Sequence, residues 1–193
     1  MQTSFTKLMG IDYPVIMAPM FLVSNPKMII EALNNGITAA IPALNFRTDE
    51  DLRRAITEIK EASNKPFGIN LIVNKSNIKY KKQLSTCVEL KVDFIITSLG
   101  SPKEVIDKCK PADIKVFCDV VDLKFALKVA ELGADAVIAV NSSAGGHAGN
   151  MTAEELVPLL KRKLDIPIIS AGGIATNDQL KKALDIGADA ASI

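Results

Sequence analysis

Short apolar runs alternate along the chain with longer stretches in which apolar positions return every three or four residues. The runs lie at 15–18, 38–41, 67–72, 93–97, 115–120, 135–140, 167–171 and 189–193, and they predict eight strands. The stretches between them, 26–35, 49–63, 78–90, 102–110, 123–132, 153–164 and 177–186, predict helices. Boundary signals support several of these. Thr48-Asp-Glu-Asp51 offers a capping residue and an acidic first turn, and Gly133 follows the last periodic position of another helix.

Strands this short and this uniformly apolar are buried on both faces, as parallel strands wrapped by helices must be. Strict alternation of strand and helix over eight strands predicts an α/β chain folded as a closed (β/α)8 TIM barrel rather than an open doubly wound sheet. An internal echo agrees. Glu131-Leu-Gly-Ala-Asp-Ala136 recurs as Asp185-Ile-Gly-Ala-Asp-Ala190, each time between a helix rich in Leu, Ala and Lys and a strand. The glycine ends the helix, and the aspartate is expected to be structural, at the face where strands begin. The echo also implies that the eighth strand has only begun at Ile193, so the last helix and a C-terminal cap are expected to be missing. The expected organisation is a single barrel domain over 1–193, incomplete at its C-terminal side.

Composition narrows the function classes. The 193 residues are 48% apolar, enough for a sizeable core, and 23 Lys+Arg against 22 Asp+Glu leave a formal charge of +1. No basic block is present to track a phosphodiester backbone, so no nucleic-acid partner is expected. Mean hydropathy is +0.22, yet charged or turn residues interrupt every apolar run before the ~20 residues of a membrane-spanning helix. The first ten residues lack the apolar core of a signal peptide. A cytoplasmic location without membrane association is therefore expected. Cys87, Cys109 and Cys118 are odd in number and widely spaced, which predicts reduced packing residues rather than disulfides or a metal knuckle.

In a barrel, chemistry belongs where strands end. After strand six comes Asn141-Ser-Ser-Ala-Gly-Gly-His-Ala-Gly-Asn150, which holds the only histidine of the chain, His147. Small residues let a ligand approach the backbone closely, and they leave one titratable imidazole at the rim. With no neighbouring Cys, second His or carboxylate in its loop, His147 points away from metal binding and from a Ser-His-Asp relay, and toward proton abstraction beside a cofactor. Ser142 and Ser143 are read as loop residues. After strand seven, Ser170-Ala-Gly-Gly-Ile174 leads into Thr176-Asn-Asp178 at a helix start, and the two together predict unpaired backbone N–H groups suited to phosphate. The other reading of those glycines is a tight turn. Asn70, between Ile69 and Leu71, offers a donor and an acceptor to a ligand or to nearby backbone.

At these residues the chain resembles the nitronate monooxygenase family. The motifs are Gly10-Ile-Asp-Tyr-Pro-Val-Ile-Met-Ala-Pro-Met20, Gly68-Ile-Asn-Leu-Ile72, Ser98-Leu-Gly-Ser-Pro102, Ala144-Gly-Gly-His-Ala-Gly149 and Ser170-Ala-Gly-Gly-Ile174, in the family's order over nearly the whole chain. The resemblance implies an FMN-dependent (β/α)8 enzyme that oxidises alkyl nitronates, of the propionate 3-nitronate type, with molecular oxygen through electron transfer to the flavin. It implies that Ala18, Pro19 and Met20 line the flavin ring and that Asn70 hydrogen-bonds it. Ala171, Gly172 and Gly173 would hold the phosphate, Gly145 and Gly146 would pack near the cofactor, and His147 would be the catalytic base. No metal is implied. The implied partners are the small-molecule nitronate and oxygen, with a homo-oligomer left open.

Some positions depart from the family pattern. Where many members carry Gln-Gly and a Glu before the histidine motif, this chain has Val140, Asn141 and Ser143, so a flavin contact from that Gln is absent. Phe21 replaces a small residue, and Ile41-Pro-Ala-Leu44 replaces a Gly-Gly pair after strand two, changes that reshape the pocket. The Gly-Thr loop and the covering helices that follow strand eight in members are not in this chain. The nearest alternative is the flavin-dependent enoyl-acyl-carrier-protein reductase, which shares fold, FMN and a similar histidine motif but uses NAD(P)H. A non-catalytic flavin-binding or structural fragment is the alternative of another class. Inosine monophosphate dehydrogenase ranks third among the enzymes, for want of a catalytic Cys loop after strand six.

Overall fold

In the computed structural model, which describes residues 2–193, eight parallel strands close into a barrel in sequential order. The strands are β1 (Val15–Met17), β2 (Thr38–Pro42), β3 (Gly68–Ile72), β4 (Phe94–Ser98), β5 (Lys115–Val120), β6 (Ala136–Val140), β7 (Ile168–Ala171) and β8 (Ala190–Ser192). The helices are α1 (Ser4–Met9), α2 (Pro26–Asn34), α3 (Asp49–Ala62), α4 (Tyr80–Glu89), α5 (Lys103–Cys109), α6 (Leu123–Glu131), α7 (Ala153–Lys161) and α8 (Asn177–Asp185). Every predicted strand and helix is present, and α2 to α8 each follow one strand. Helix α1, ahead of β1, is an addition to the expected set.

Two compact units can be distinguished. One takes in the stretch up to Ile16 together with Phe117–Ile193, and the other is Met17–Val116.

Within Met17–Val116, β2, β3 and β4 pair in register, with Ala40 beside Gly68 and Gly68 beside Phe94. A Cβ on Gly68 would lie 2.2 Å from the Phe94 ring. The missing side chain is thus the space the aromatic ring fills. Helix α3 buries Leu52, Ala55, Ile56 and Ile59, one face at helical spacing. Each of the larger side chains contributes ~1.5–3 kcal/mol by leaving water. Thr48 caps this helix, its hydroxyl accepting from the Asp51 N–H at 3.1 Å. Asp49 accepts from the buried Thr86 hydroxyl and from Arg53 Nε, and Arg53 continues to Glu89 at 2.6 Å, which ties α3 to α4. Cys87 and Cys109 are free and buried. Burial, with Cys109 nearby, pushes the Cys87 thiol up, which suits a packing role.

Helix α4 begins at Tyr80 rather than at the predicted 78 because successive asparagines take the backbone into turns. Asn74 Oδ1 accepts from Ser76 N, and Asn77 Oδ1 accepts from Lys79 N.

In the other unit, Thr3 and Thr6 cap α1 reciprocally, and Phe5 packs edge-on against Phe117 with ring centroids 5.6 Å apart. β5 to β8 run in register, Cys118 beside Val137, Val137 beside Ile168 and Ile169 beside Ala190, and β8 pairs back to β1 through Val15 and Ala191. Cys118 is also free and buried. Helix α7 stops at Lys161, short of the predicted 164; the N–H groups of Lys163 and Leu164 both turn back to the Leu160 carbonyl. Among the described residues no helix is long and apolar enough to cross a membrane, and no cluster of three or more His, Cys, Asp or Glu could hold a metal ion.

Candidate functional site

In the Met17–Val116 unit, Ala18, Pro19 and Met20 follow β1 directly and are half-buried. Their loop is fixed by two polar side chains the sequence did not mark out. Ser24 Oγ accepts from Met20 N at 2.9 Å, and Asn45 Oδ1 accepts from Leu22 N at 2.9 Å while its Nδ2 donates to Ser24 O at 2.8 Å. This bracing holds Leu22 at φ +58° and leaves Phe21, Leu22 and Val23 exposed. Asn70 lies on β3 and is buried. Its Nδ2 donates to Ser98 Oγ at 2.8 Å and to Ile96 O at 3.3 Å, so the amide is oriented by β4 and its Oδ1 remains available as an acceptor.

In the other unit, the loop from Asn141 to Thr152 connects β6 to α7. Thr152 and Glu155 form a reciprocal cap at the helix start. Ser142 N donates to Met151 O at 2.8 Å, which joins the two ends of the loop. Gly149 is packed there too, since a Cβ would lie 2.7 Å from Val140 O. The tip differs. Gly145, Gly146 and His147 are exposed, a Cβ on either glycine would meet nothing within 4 Å, and neither has a positive φ. Neither packing nor backbone conformation within the chain requires glycine at these two positions.

The turn after β7 behaves in the opposite way. Gly172 has φ +119° and Gly173 φ +72°, and a Cβ on Gly172 would lie 2.5 Å from Asn141 Oδ1 and 2.7 Å from Ala144 N. These glycines are required by backbone conformation and by the loop packed on them. Among the described residues the N–H groups of 172, 173 and 174 have no acceptor in the chain. The donors expected a little further on are partly taken. Ala175 N and Thr176 N both donate to Gln179 Oε1, at 2.8 and 3.0 Å, because Gln179 is the reciprocal partner of the Thr176 cap. The anion-binding capacity is therefore concentrated in three consecutive N–H groups at the glycines, an arrangement suited to phosphate oxygens.

Asn141 joins the loop to the turn and was noted in the sequence only as a departure from a family pattern. It is 1% exposed. Its Nδ2 donates to Gly172 O at 3.0 Å and its Oδ1 accepts from Ser143 N at 2.8 Å. The run Asn-Ser-Ser directly after a strand was the available signal, since Asn readily bonds backbone two residues on.

The residues present fit a flavin phosphate: free N–H groups at the glycine turn, and two glycines beside an exposed imidazole whose outer faces are open.

Known proteins share this barrel and part of its sequence. A family model described as nitronate monooxygenase matches residues 2–84 and 75–193. A (3aS,4S,5R,7aS)-5-hydroxy-7a-methyl-1-oxo-octahydro-1H-indene-4-carboxyl-CoA dehydrogenase of Rhodococcus jostii is 32% identical over 188 residues, 97% of this chain and 52% of the relative. A probable nitronate monooxygenase of Staphylococcus saprophyticus is 26% identical over 234 residues, 98% of this chain and 66% of the relative. Among solved structures, FabK from Thermotoga maritima superposes with a TM-score of 0.93 at 32% identity, covering 100% of this chain and 61% of that one. The chain spans about half the length of the Rhodococcus relative. The motifs, the closed parallel barrel and the family match over the described residues agree, and the chain belongs to the nitronate monooxygenase family.

Proposed function

We propose that this chain forms the FMN-binding barrel of an oxidoreductase that oxidises alkyl nitronates, of the propionate 3-nitronate type, with molecular oxygen. The observation that carries the reading is the set of unpaired N–H groups at 172, 173 and 174, held by hydrogen bonds to the loop that bears His147. Bound FMN would supply the electron acceptance that no side chain of this chain can supply. Ala171, Gly172 and Gly173 would hold its phosphate through backbone N–H groups, and Gly145 and Gly146 would let it approach the backbone. Ala18, Pro19 and Met20 would line the ring, with Asn70 Oδ1 accepting a hydrogen bond from it. His147 would take the α-proton of a neutral nitroalkane on its imidazole nitrogen and orient a nitronate that arrives already ionised.

The test is spectroscopic and then kinetic. The purified chain is expected to quench FMN fluorescence and to consume oxygen with propionate 3-nitronate in the absence of NAD(P)H. A chain that leaves FMN fluorescence unchanged refutes the reading.

A second reading, reduction of an enoyl thioester with NAD(P)H, has one specific observation in its favour. The Rhodococcus CoA dehydrogenase aligns almost without gaps, 188 positions against 193 residues, whereas the Staphylococcus nitronate monooxygenase needs 234 positions. The family model breaks at residues 75–84, which are the short loop after β3 and the start of α4. Anaerobic bleaching of the flavin absorbance by NAD(P)H, reversed by an enoyl thioester, would select this reading over the first.

A further inference from the structure

The glycine turn and the histidine loop are joined by one buried side chain, and the join has a direction. Asn141 uses both ends of its amide: the Oδ1 end accepts from Ser143 N at 2.8 Å and shapes the start of the histidine loop, and the Nδ2 end donates to Gly172 O at 3.0 Å. Its backbone is bonded as well. Asn141 N donates to Ala171 O at 3.0 Å, and Asn141 O accepts from Ala144 N at 3.2 Å. Contact is close on both sides, because a single added methyl at Gly172 would strike Asn141 Oδ1 and Ala144 N. The Gly172 carbonyl that Asn141 Nδ2 binds shares its peptide group with the unpaired N–H of Gly173, and the Ala171 carbonyl that Asn141 N binds shares its peptide group with the unpaired N–H of Gly172. Any ligand that draws those donors toward itself must reorient the same peptide groups, and Asn141 transmits that reorientation to Ser143 and Ala144, four and three residues before His147. The far end of the loop is anchored separately by Ser142 N to Met151 O and by the packing of Gly149, so the displacement is delivered to the exposed tip, residues 145–147.

We infer that Asn141 is a positioning residue: it couples occupancy of the glycine turn by a phosphate group to the placement of the His147 imidazole. This rests on the flavin reading above and adds a link that reading does not contain. The link also accounts for glycine at 172, where the turn has no room for anything larger against Asn141.

The chain has one histidine, so its imidazole gives a single, unambiguous resonance for a direct test. FMN is titrated into the 193-residue chain, with binding followed by flavin fluorescence, the imidazole by NMR, and the amides of Ser143 and 172–174 by hydrogen exchange. In the parent chain, FMN is expected to shift the His147 resonance and to slow exchange at 172–174 and at Ser143 together. Asn141→Asp keeps an acceptor for Ser143 N but removes the donor to Gly172 O. It is expected to retain protection at Ser143 in the apo chain and to bind FMN, while the His147 shift is smaller than in the parent. Asn141→Ala removes both bonds and is expected to raise Ser143 exchange by roughly tenfold as well, the fold-change one lost hydrogen bond implies. A His147 shift in Asn141→Asp equal to that of the parent, or FMN binding to the parent with His147 unmoved, overturns the coupling alone. Unquenched FMN with the parent chain overturns the coupling and the flavin reading together. If Asn141→Asp does not fold, Asn141→Ser, which shortens the side chain away from Gly172 O, is read by the same criteria.

Discussion

The two ends of β7 are built for different purposes. At its start the hydrogen bonds are saturated: Ile168 N donates to Asp189 Oδ2 at 2.9 Å, and the same carboxylate accepts from Lys161 Nζ at 2.7 Å and from Ser4 Oγ at 2.7 Å. One side chain thereby ties β7, α7 and α1 to the beginning of β8. At the other end, three N–H groups at 172–174 have no acceptor among the described residues, and the glycines carrying two of them are held by contact with Asn141 and Ser143. Unsatisfied donors are a cost to folding unless water or a ligand meets them. Bonded donors are concentrated where the strand begins, and unpaired donors are left where it ends. The comparison predicts that substitutions at the two ends will separate stability from function.

The largest effect is expected at the binding end. Replacing His147 by Asn should leave FMN bound yet slow turnover of a neutral nitroalkane by roughly 10²–10⁴, the usual contribution of a positioned base. A pre-formed nitronate, whose proton is already gone, should be affected far less. Steady-state kinetics on the two substrates measure the difference, and equal slowing of both would remove the base role. Next in size is Gly172→Ala, which combines a positive φ with a Cβ 2.5 Å from Asn141 Oδ1. Denaturant unfolding is expected to show a loss of about 3 kcal/mol, with weaker FMN binding. At the opposite end, Asp189→Asn keeps an acceptor for Ile168 N but gives up the ion pair to Lys161, whose side chain is 44% exposed. Solvent screening limits that loss to about 1 kcal/mol, and FMN affinity should be unchanged. A change in flavin affinity without a change in stability would break the division of labour.

How far this division could be read in advance depended on what each feature needs. The barrel was legible because βα alternation and uniformly apolar strands are signals repeated along the whole chain. Asp189 was legible because Gly-Ala-Asp occurs twice, each time before a strand. Helix α1 was not: it is six residues long, and beside the Thr3–Thr6 cap it is held by tertiary contacts, Phe5 against Phe117 and Ser4 on Asp189. The glycine turn was legible as a donor set, but its extent was overestimated toward the helix start, since only the structure brings Gln179 back onto Ala175 N and Thr176 N. Asn141 and Asn45 escaped for a common reason. Each acts by bonding main-chain atoms of a distant segment, Gly172 for one and Met20, Leu22 and Ser24 for the other, and a side chain bonding backbone leaves no complementary residue type in the sequence.

The smallest expected change in stability is the most telling about the loop. Gly145 and Gly172 look alike in a list of glycines, but only Gly172 is required by the folded chain itself. A Cβ on Gly145 would meet nothing within 4 Å, and its φ is not in the left-handed region. Gly145→Ala should therefore leave thermal unfolding unchanged or stabilise the chain slightly, by about 0.4–1 kcal/mol, because the unfolded state loses conformational freedom. If a ligand is what needs the missing side chain, the same variant should weaken FMN binding by about tenfold, the cost of one poorly accommodated methyl group against a bound ring. Fluorescence titration of FMN beside a thermal melt reads both quantities on one sample. Unchanged affinity with unchanged stability would mean that the open face of Gly145 meets no part of the cofactor, and the approach of the flavin would then have to be assigned to Gly146 alone.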